Sequence, residues 1–519
     1  MAKIKYPIGI QTFQKIRQEG YLYIDKTKYI FDLVDSGTYY FLSRPRRFGK
    51  SLLISTLEAY FQGQKELFEG LTIYDIEKEW KKYPVLHFDL NIGHYSEPDG
   101  VYQILNSQLS RYESEYGKYP HSDELGIRFD YLLRQIFEKT GSQSVILIDE
   151  YDKPILQTIG DEDLQAHFRA ELKPFYGCLK SCDRYIKFSF LTGVTKIGKL
   201  SVFSDLNNLI DISMEDKYAQ ICGITRQEIE TALAEPLQEM AQNKGVTVEE
   251  MHLQLKKAYD GYRFSWTDAK VYNPFSLLSA FRAQRIDDYW FETGTPTFLV
   301  KLLQKHSFNL WEMDGVERQV SAIKSVNSFA SDPIPVIYQS GYLTIKEWDE
   351  IFNIVSLGYP NAEVRRGFIN SLLPCYAGEK ASQGFDIRKF VRSINDGNVD
   401  GFMRQIQALF ADIPYVEASG FNYEGEFRNV LYIVFSILGF YAQAEKHIGK
   451  GRVDLVVKTA STVYVMEFKL DGSVDEAMAQ INSKSYAIPF TASGKKIVKV
   501  AAVFSKKDRN LTDWKIETS

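Results

Sequence analysis

Cysteine is scarce. Cys178, Cys182, Cys222 and Cys375 are too few and too scattered for a disulfide framework or a four-thiolate zinc site, and reduced thiols in a cytoplasmic protein are the reading that follows. Long hydrophobic runs are missing as well. The segment MAKIKYPIGIQTF has no apolar stretch of the secretion-signal kind, and the most apolar run, Val430 to Ala442, is interrupted by Ser436 and Gly439. It reads as a buried helix rather than a bilayer span, nothing marks a lipid anchor, and no membrane is expected as a partner. The 7 histidines show no metal-ligand spacing, there is no G-x-S-x-G elbow, and no cysteine has an activating partner, which sets aside protease and esterase chemistry. Neither sign of charge dominates. With a formal net charge of -5, any contact with nucleic acid has to come from a local patch. The absence of internal repeats and low-complexity tracts excludes a solenoid or a long flexible linker.

What is present is the balance of an ordinary globular chain, 45% hydrophobic and 25% charged residues. At roughly 100–200 residues per domain, 519 residues exceed a single core and suggest about three units. Up to residue 213, short apolar runs (TYYFL, YPVLHFDL, SVILID, YIKFSFLTG) alternate with helical periodicity, the pattern of a mostly parallel sheet covered on both faces. Residues 214–412 turn chiefly helical, with amphipathic stretches such as RQEIETALAEPLQEMAQNKG broken by Pro and Gly. Residues 413–519 pass from an apolar helix to two β-rich runs, GRVDLVVKT and TVYVMEFKL, which predicts a small closing α/β domain.

The segment FLSRPRRFGKSLLISTLEAYF sets Gly49, Lys50 and Ser51 between a strand and an amphipathic helix, the context a phosphate-binding loop requires. A helix starting near Lys50 presents unpaired backbone N–H groups and the positive end of its dipole to phosphate oxygens. Lys50 would reach the β- and γ-phosphates and the Ser51 hydroxyl would ligate magnesium. Arg44 stands where the first glycine of G-x-x-x-x-G-K-[ST] normally allows the turn. About a hundred residues on, the apolar strand SVILID ends in Asp149 and is followed by Glu150. Ligands of α/β folds bind at such strand ends, so Asp149 is expected to hold magnesium and Glu150 to orient or deprotonate the attacking water. A third strand, YIKFSFLTG, carries Thr192 near its end, which reads either as a γ-phosphate sensor or as a β-branched residue closing a strand. Arg46 and Arg47 could add charge at the phosphates, face a partner subunit or meet nucleic acid; the residues alone do not choose, and no arginine finger is assigned.

Here the chain resembles a known family. YPIGIQTFQKIRQEGYLYIDKTKYI, FLSRPRRFGKSLL and VILIDEYDKP look like the AAA-ATPase-like domain of many uncharacterised bacterial proteins, over roughly residues 5 to 210. In that family R-P-R-R-F-G-K-[ST] is the usual loop, so Arg44 is in pattern. The resemblance implies a P-loop NTPase sheet, ATP and magnesium as cofactors, and Arg46, Arg47, Phe48, Gly49, Lys50, Ser51, Leu52, Asp149 and Thr192 as the nucleotide-binding set. It also implies a C-terminal domain of the PD-(D/E)XK nuclease superfamily, with a restriction-endonuclease-like fold.

The C-terminal residues carry the matching pattern. In GRVDLVVKTASTVYVMEFKL, a turn near Ala460 to Thr462 joins a strand bearing Asp454 to one bearing Glu467 and Lys469. Residues two apart on a strand share a face, and a hairpin brings Asp454 across to Glu467. Two carboxylates could hold one or two magnesium ions while Lys469 positions the attacking water or stabilises charge on the phosphate. An acid and a lysine set inside an otherwise apolar strand are costly unless partners compensate them. D-x12-E-x-K looks like the superfamily signature, with Glu445, Gly451 and Arg452 in its flanks. The resemblance places Gln480, with Lys484 a turn later, on the following helix, and one acid on the preceding helix, Glu424 in preference to Glu426. Lys495, Lys496, Lys499, Lys506, Lys507 and Arg509 form a basic cluster, readable as a phosphate-backbone surface or as a solvated edge strand. The aromatics of YDGYRFS, VYNPFSLL and YWFETGTPTFL are read as core packing before base stacking.

The function expected is that of an ATP-binding, ATP-hydrolysing protein with a metal-dependent nuclease domain. Its partner is nucleic acid, DNA before RNA, and a homo-oligomer is compatible, since P-loop ATPases of this type often complete their sites between subunits. The alternative is a regulatory ATPase switch whose nuclease-like domain binds nucleic acid or a protein without cutting.

Overall fold

The computed structural model describes residues 4–197, 208–291, 297–326, 332–378, 382, 386–413, 423–441, 443–446, 455–484, 486–491 and 494–518. The chain divides into two compact units: Met1–Gly294 with Gly315–Val364, and Thr295–Asp314 with Arg365–Ser519. Residues 214–412 contribute to both. Among the described residues, no helix is long and apolar enough to cross a membrane.

The first unit is built on a five-stranded sheet of β1 (Tyr39–Ser43), β2 (Val85–Asp89), β3 (Ser144–Asp149), β4 (Ile186–Gly193) and β5 (Ile210–Asp211). All pairings are parallel, in the order β2-β3-β4-β1-β5. Parallel neighbours need crossovers, supplied here by helices such as α1 (Lys50–Phe61), α2 (Gly100–Tyr116), α3 (Leu125–Thr140) and α4 (Glu162–Ser181). Successive side chains of a strand point to opposite faces, and all six of β3 are buried, so both faces of the sheet are covered, as the alternating pattern predicts. The order sets β4 between the strand that precedes the Gly-Lys-Ser turn and the strand that ends in Asp149, with Leu42 opposite Thr192 and Ile148 opposite Leu191. The C-terminal ends of β1, β3 and β4 therefore converge.

The rest of this unit is helical, but it also holds two small antiparallel sheets. One pairs β6 (Tyr262–Arg263) with β7 (Lys270–Val271); the other orders β8 (Val316–Gln319), β10 (Ile354–Gly358) and β9 (Thr344–Asp349). Between them runs a helix, Pro274–Ala283, that buries Leu277, Leu278, Ala280 and Phe281 in a core shared with the helices of residues 226–259.

The second unit carries a mixed sheet of β11 (Gln443–Lys446), β12 (Leu455–Lys458), β13 (Thr462–Leu470), β14 (Lys496–Ser505) and β15 (Asn510–Thr518), in chain order. Only β13 and β14 run parallel. The strands β12 and β13 meet through a tight turn closed by the Thr459 N–H on the Thr462 carbonyl at 2.8 Å. The two faces of β13 have different company. Val463 and Val465 join the core under α7 (Val474–Ser483), with Met478 and Ile481. On the opposite face Phe468 lies 5.2 Å from Phe435 of α6 (Tyr423–Tyr441) and 6.0 Å from Phe504, which in turn packs on Phe410 of α5 (Val399–Ala411). The apolar run near Val430 is thus a buried helix, as expected.

Candidate active sites

In the first unit, the turn after β1 is made of residues that each have a reason to sit there. Arg44 continues the pairing to β4 through its N–H on the Gly193 carbonyl, then sends its side chain inward. Its guanidinium is 1% exposed and donates to the carbonyls of Ser43 (2.9 Å), Ser213 (2.7 Å) and Tyr218 (3.1 Å), with the Phe264 ring 4.2 Å away. Burial pulls its pKa down to about 10, which leaves it charged at neutral pH. Where a glycine would let the chain turn freely, an anchored arginine holds the turn. Phe48 is buried edge-on against Tyr262 at 4.7 Å and Phe264 at 5.4 Å. Its ring packs in the interior, and the φ of 94° at the next residue, Gly49, permits the tight entry into α1. Arg47 has a φ of 67° and lies over the Phe275 ring at 4.6 Å, while the Trp290 indole donates to the Arg46 carbonyl at 3.3 Å. Both arginine side chains are exposed; Ser51 and Leu52 are half-buried in the first turn of α1.

Lys50 folds back onto its own loop. Its ammonium, 3% exposed, donates to the carbonyls of Arg44 (3.1 Å) and Pro45 (3.3 Å) and lies 3.1 Å from the Glu150 carboxylate. Glu150 has a φ of 54°, costly for a residue with a Cβ and held by the bonds around it. The Tyr151 N–H donates to the Thr192 carbonyl at 2.9 Å, and the Lys153 N–H donates to the Glu150 carbonyl at 3.0 Å. Asp149 is buried, and the Thr192 hydroxyl donates to its Oδ1 at 2.6 Å. The structure thus brings Lys50, Asp149, Glu150 and Thr192 to one place from three elements.

Two further layers were not anticipated. Asp152 is fully buried and accepts from the Thr195 N–H (2.6 Å), the Thr195 hydroxyl (2.7 Å) and the Val194 N–H (3.2 Å). Burial, then the neighbouring charge of Glu150, pushes its pKa up to about 6. A Cβ on Gly193 would stand 2.5 Å from Asp152 Oδ1, so only glycine fits. The pairing of D-E-Y-D with T-G-V-T was in the sequence, but nothing in one chain shows that the two tetrapeptides meet. His87 of β2 contacts Glu58 of α1 at 3.2 Å; burial draws its pKa down, and the Glu58 hydrogen bond with the charges of Glu58, Asp149 and Asp89 raises it above its ordinary value.

A hydroxyl at Ser51 and carboxylates at Asp149 and Glu150 are oxygen donors of the kind magnesium takes. Among the described residues no group of three His, Cys, Asp or Glu side chains forms a ready-made metal cage. Magnesium at nucleotide sites is held by one or two carboxylates together with substrate phosphates and water, so this donor set fits it.

In the second unit, Glu467 is 2% exposed on the α7-facing side of β13, and Lys469 follows on the same face, half-buried. Lys469 Nζ donates to Glu467 Oε1 at 3.3 Å and to Gln480 Oε1 at 2.5 Å, and Gln480 Nε2 donates to Glu467 Oε1 at 2.5 Å. Three side chains from a strand and its covering helix close a ring of hydrogen bonds. The ladder between β12 and β13 is described up to Leu455 opposite Met466. Asp454, Gly451 and Arg452 lie outside the described residues. Glu424, Glu426 and Glu445 fall on α6 and β11, but their side chains also lie outside what is described. Lys484 caps α7 and is exposed. The basic cluster is partly spent locally: Lys495 donates to the Thr459 carbonyl, Lys499 to Asn482, and Lys506 lies 3.8 Å from Asp471.

Comparisons agree with this division. A family described as "Predicted AAA-ATPase" matches residues 7–203, and one described as "PD-(D/E)XK nuclease superfamily" matches residues 422–514. A protein of Azotobacter chroococcum mcd 1, described as "Uncharacterized protein in vnfD 5'region", is 34% identical over 529 residues, a match that covers 100% of both chains.

Proposed function

The chain belongs to the family that joins a predicted AAA-ATPase domain to a C-terminal domain of the PD-(D/E)XK nuclease superfamily, and on that premise we propose that it binds and hydrolyses ATP and cleaves phosphodiesters of nucleic acid, DNA before RNA. The observation that carries this reading is the convergence of Lys50, Asp149, Glu150 and Thr192 at the ends of β1, β3 and β4. ATP is the substrate there. The N–H groups at the start of α1 and the Lys50 ammonium bind its phosphates. Glu150 holds the attacking water and takes its proton, and Thr192 keeps Asp149 oriented. Magnesium, when bound, neutralises charge on the phosphates, and Ser51 and Asp149 are the residues that would hold it.

In the nuclease domain we propose Asp454 and Glu467 as the carboxylates that would hold magnesium. We propose Glu424 as the additional acid. Lys469 lies where it can orient water or stabilise charge on phosphate, and Gln480 fixes the position of both Lys469 and Glu467. The ring of contacts among Glu467, Lys469 and Gln480 also supports the second reading, a regulatory switch that binds nucleic acid or a protein without cutting, since it leaves the ammonium already engaged.

The test is cleavage of plasmid and single-stranded DNA in magnesium or manganese, with and without ATP, by wild type, Asp454→Ala and Lys50→Ala. Cleavage lost in Asp454→Ala and altered in Lys50→Ala supports the coupled nuclease. ATP turnover with no cleavage moves the assignment to the switch.

A further inference from the structure

A cavity of about 620 Å³ opens in the first unit, and none of its lining residues belongs to the loop of residues 44–51 or to the strand end at 149–150. Its volume is in the range of small-molecule sites, roughly 300–1,000 Å³. One wall is Trp266, in the connection between β6 and β7. This connection is firmly mounted. Arg263, 9% exposed, donates to the carbonyls of Ser265 (3.1 Å), Thr267 (2.8 Å), Trp266 and Lys346 (3.5 Å), and the Thr267 N–H donates to Asp216 at 3.3 Å. Trp348 backs the indole, ring centroids 4.8 Å apart. A buried guanidinium with four carbonyl partners is a large commitment for an ordinary turn, and what it fixes is a half-exposed indole facing a cavity.

The other walls are charged in a specific way. Lys324 holds its ammonium 5.6 Å from the Trp266 ring centre, and Lys217 holds its own 5.2 Å from the Tyr218 ring and 3.5 Å from the Ser36 hydroxyl. Among the described residues neither lies within ion-pair distance of a carboxylate, although the Lys217 charge is felt at Glu215. A third lysine, Lys196, is already neutralised by Asp211 at 2.6 Å. Glu215 and Asp216 leave exposed carboxylates on the rim as acceptors.

An indole face, two ammoniums outside any close ion pair and carboxylate acceptors are the complement of a flat heterocycle that carries a phosphate and hydroxyl or amine donors. A simple anion would have no use for the indole, and a plain apolar ring would leave the ammoniums unmet. We propose that this cavity binds a single nucleotide unit, taken either free or as one residue of a single strand, at a site separate from the phosphate loop. A base that takes the place over the indole frees the Lys324 ammonium to meet its phosphate. The site also touches the first one mechanically: the Lys196 N–H is held by Gln339 at 2.8 Å, one residue after Thr195 secures Asp152. The inference does not depend on ATP hydrolysis.

The test uses the full chain carrying Lys50→Ala, which removes the phosphate-loop lysine, in buffer with a metal chelator so that no strand is cut. Titration calorimetry is run with adenosine 5′-monophosphate and with a short single-stranded oligodeoxynucleotide. Saturable binding of either is expected, weakened about tenfold by Trp266→Ala, severalfold by Lys324→Gln or Lys217→Gln, and diminished by salt. Binding of the monophosphate identifies free nucleotide as the ligand; binding of the oligonucleotide alone identifies a strand. No binding of either probe, or binding that Trp266→Ala and Lys324→Gln leave unchanged, overturns the proposal. Should Trp266→Ala fail to fold, Lys324→Gln on the exposed rim decides the same question.

Discussion

The Lys50 ammonium lies 3.1 Å from the Glu150 carboxylate, so the cation proposed to receive phosphate and the acid proposed to activate water neutralise each other. Both are largely withdrawn from solvent, with side chains 3% and 16% exposed. On the proposed function phosphate binding has to separate them, which would release Glu150 for water at the same step. Removing the charge of Glu150 therefore has two opposite effects. Glu150→Gln should bind ATP severalfold more tightly, because Lys50 no longer has a competing partner, and should hydrolyse it slower by a factor on the order of 10²–10⁴. Calorimetric titration and phosphate release read the two effects separately. Unchanged turnover in Glu150→Gln would remove Glu150 from the reaction.

Arg44 shows how a loop without its first glycine is held. The guanidinium serves three carbonyls, two of them from Ser213 and Tyr218, and stacks on Phe264. Hydrogen bonds from charged groups are each worth roughly 1.5–3 kcal/mol, and a buried carbonyl left without a donor costs about 1–3 kcal/mol. Arg44→Gly restores the general phosphate-loop pattern on paper, yet it should destabilise the first unit by on the order of 3 kcal/mol and weaken ATP binding. Urea unfolding followed by tryptophan fluorescence measures the first effect. A variant as stable as wild type would mean that the turn stands without its anchor.

Asp152 makes stability depend on pH in a direction opposite to that of most carboxylates. Burial, with the charge of Glu150, raises its folded pKa to about 6 from an ordinary 3.8. Between these values the folded chain holds a proton that the unfolded chain has released. The stability contributed by the group is thus present below the unfolded value and is lost as pH rises through about 6. At about 1.4 kcal/mol per pKa unit the loss is on the order of 3 kcal/mol. Asp152→Asn, which has no charge to bury, should show a flatter pH dependence of its urea midpoint between about pH 4 and about pH 7. Equal slopes in the two proteins would show that Asp152 titrates near its ordinary value.

How much of this was legible in the sequence depended on the distance along the chain. The strand before Gly49, the helix from Lys50 and the apolar strand ending in Asp149 are local patterns, and the parallel sheet follows from their alternation. The shared face of Glu467 and Lys469 follows from the two-residue period of a strand, and the place of Gln480 from the helix that covers it. What stayed hidden were partners far apart. Arg44 bonds residues some 170 positions away, Phe48 meets Tyr262 and Phe264, and Asp152 meets Thr195 through a glycine that only close approach requires. Composition and spacing say nothing about such pairs. Nor could they show that Lys50 rests on Glu150, because two opposite charges in a motif do not reveal whether they touch.

The last prediction concerns Lys469. Its ammonium lies within hydrogen-bond distance of Glu467, and Gln480 bridges the two. With Lys469→Met, the site loses the cation that would stabilise charge on the phosphate and position the attacking water. Magnesium-dependent cleavage should fall by on the order of 10²–10⁴, while ATP turnover, proposed for the other unit, should stay at its wild-type rate. Gln480→Ala removes a group that orients the others and should cost roughly 10–100-fold. Raising magnesium should recover part of the Gln480→Ala loss, because weakened metal binding yields to concentration, but little of the Lys469→Met loss, because a missing charge does not. Cleavage rates measured across a magnesium titration separate the two cases. Wild-type cleavage by Lys469→Met would exclude this lysine from the chemistry and, with it, the nuclease signature as the source of the activity.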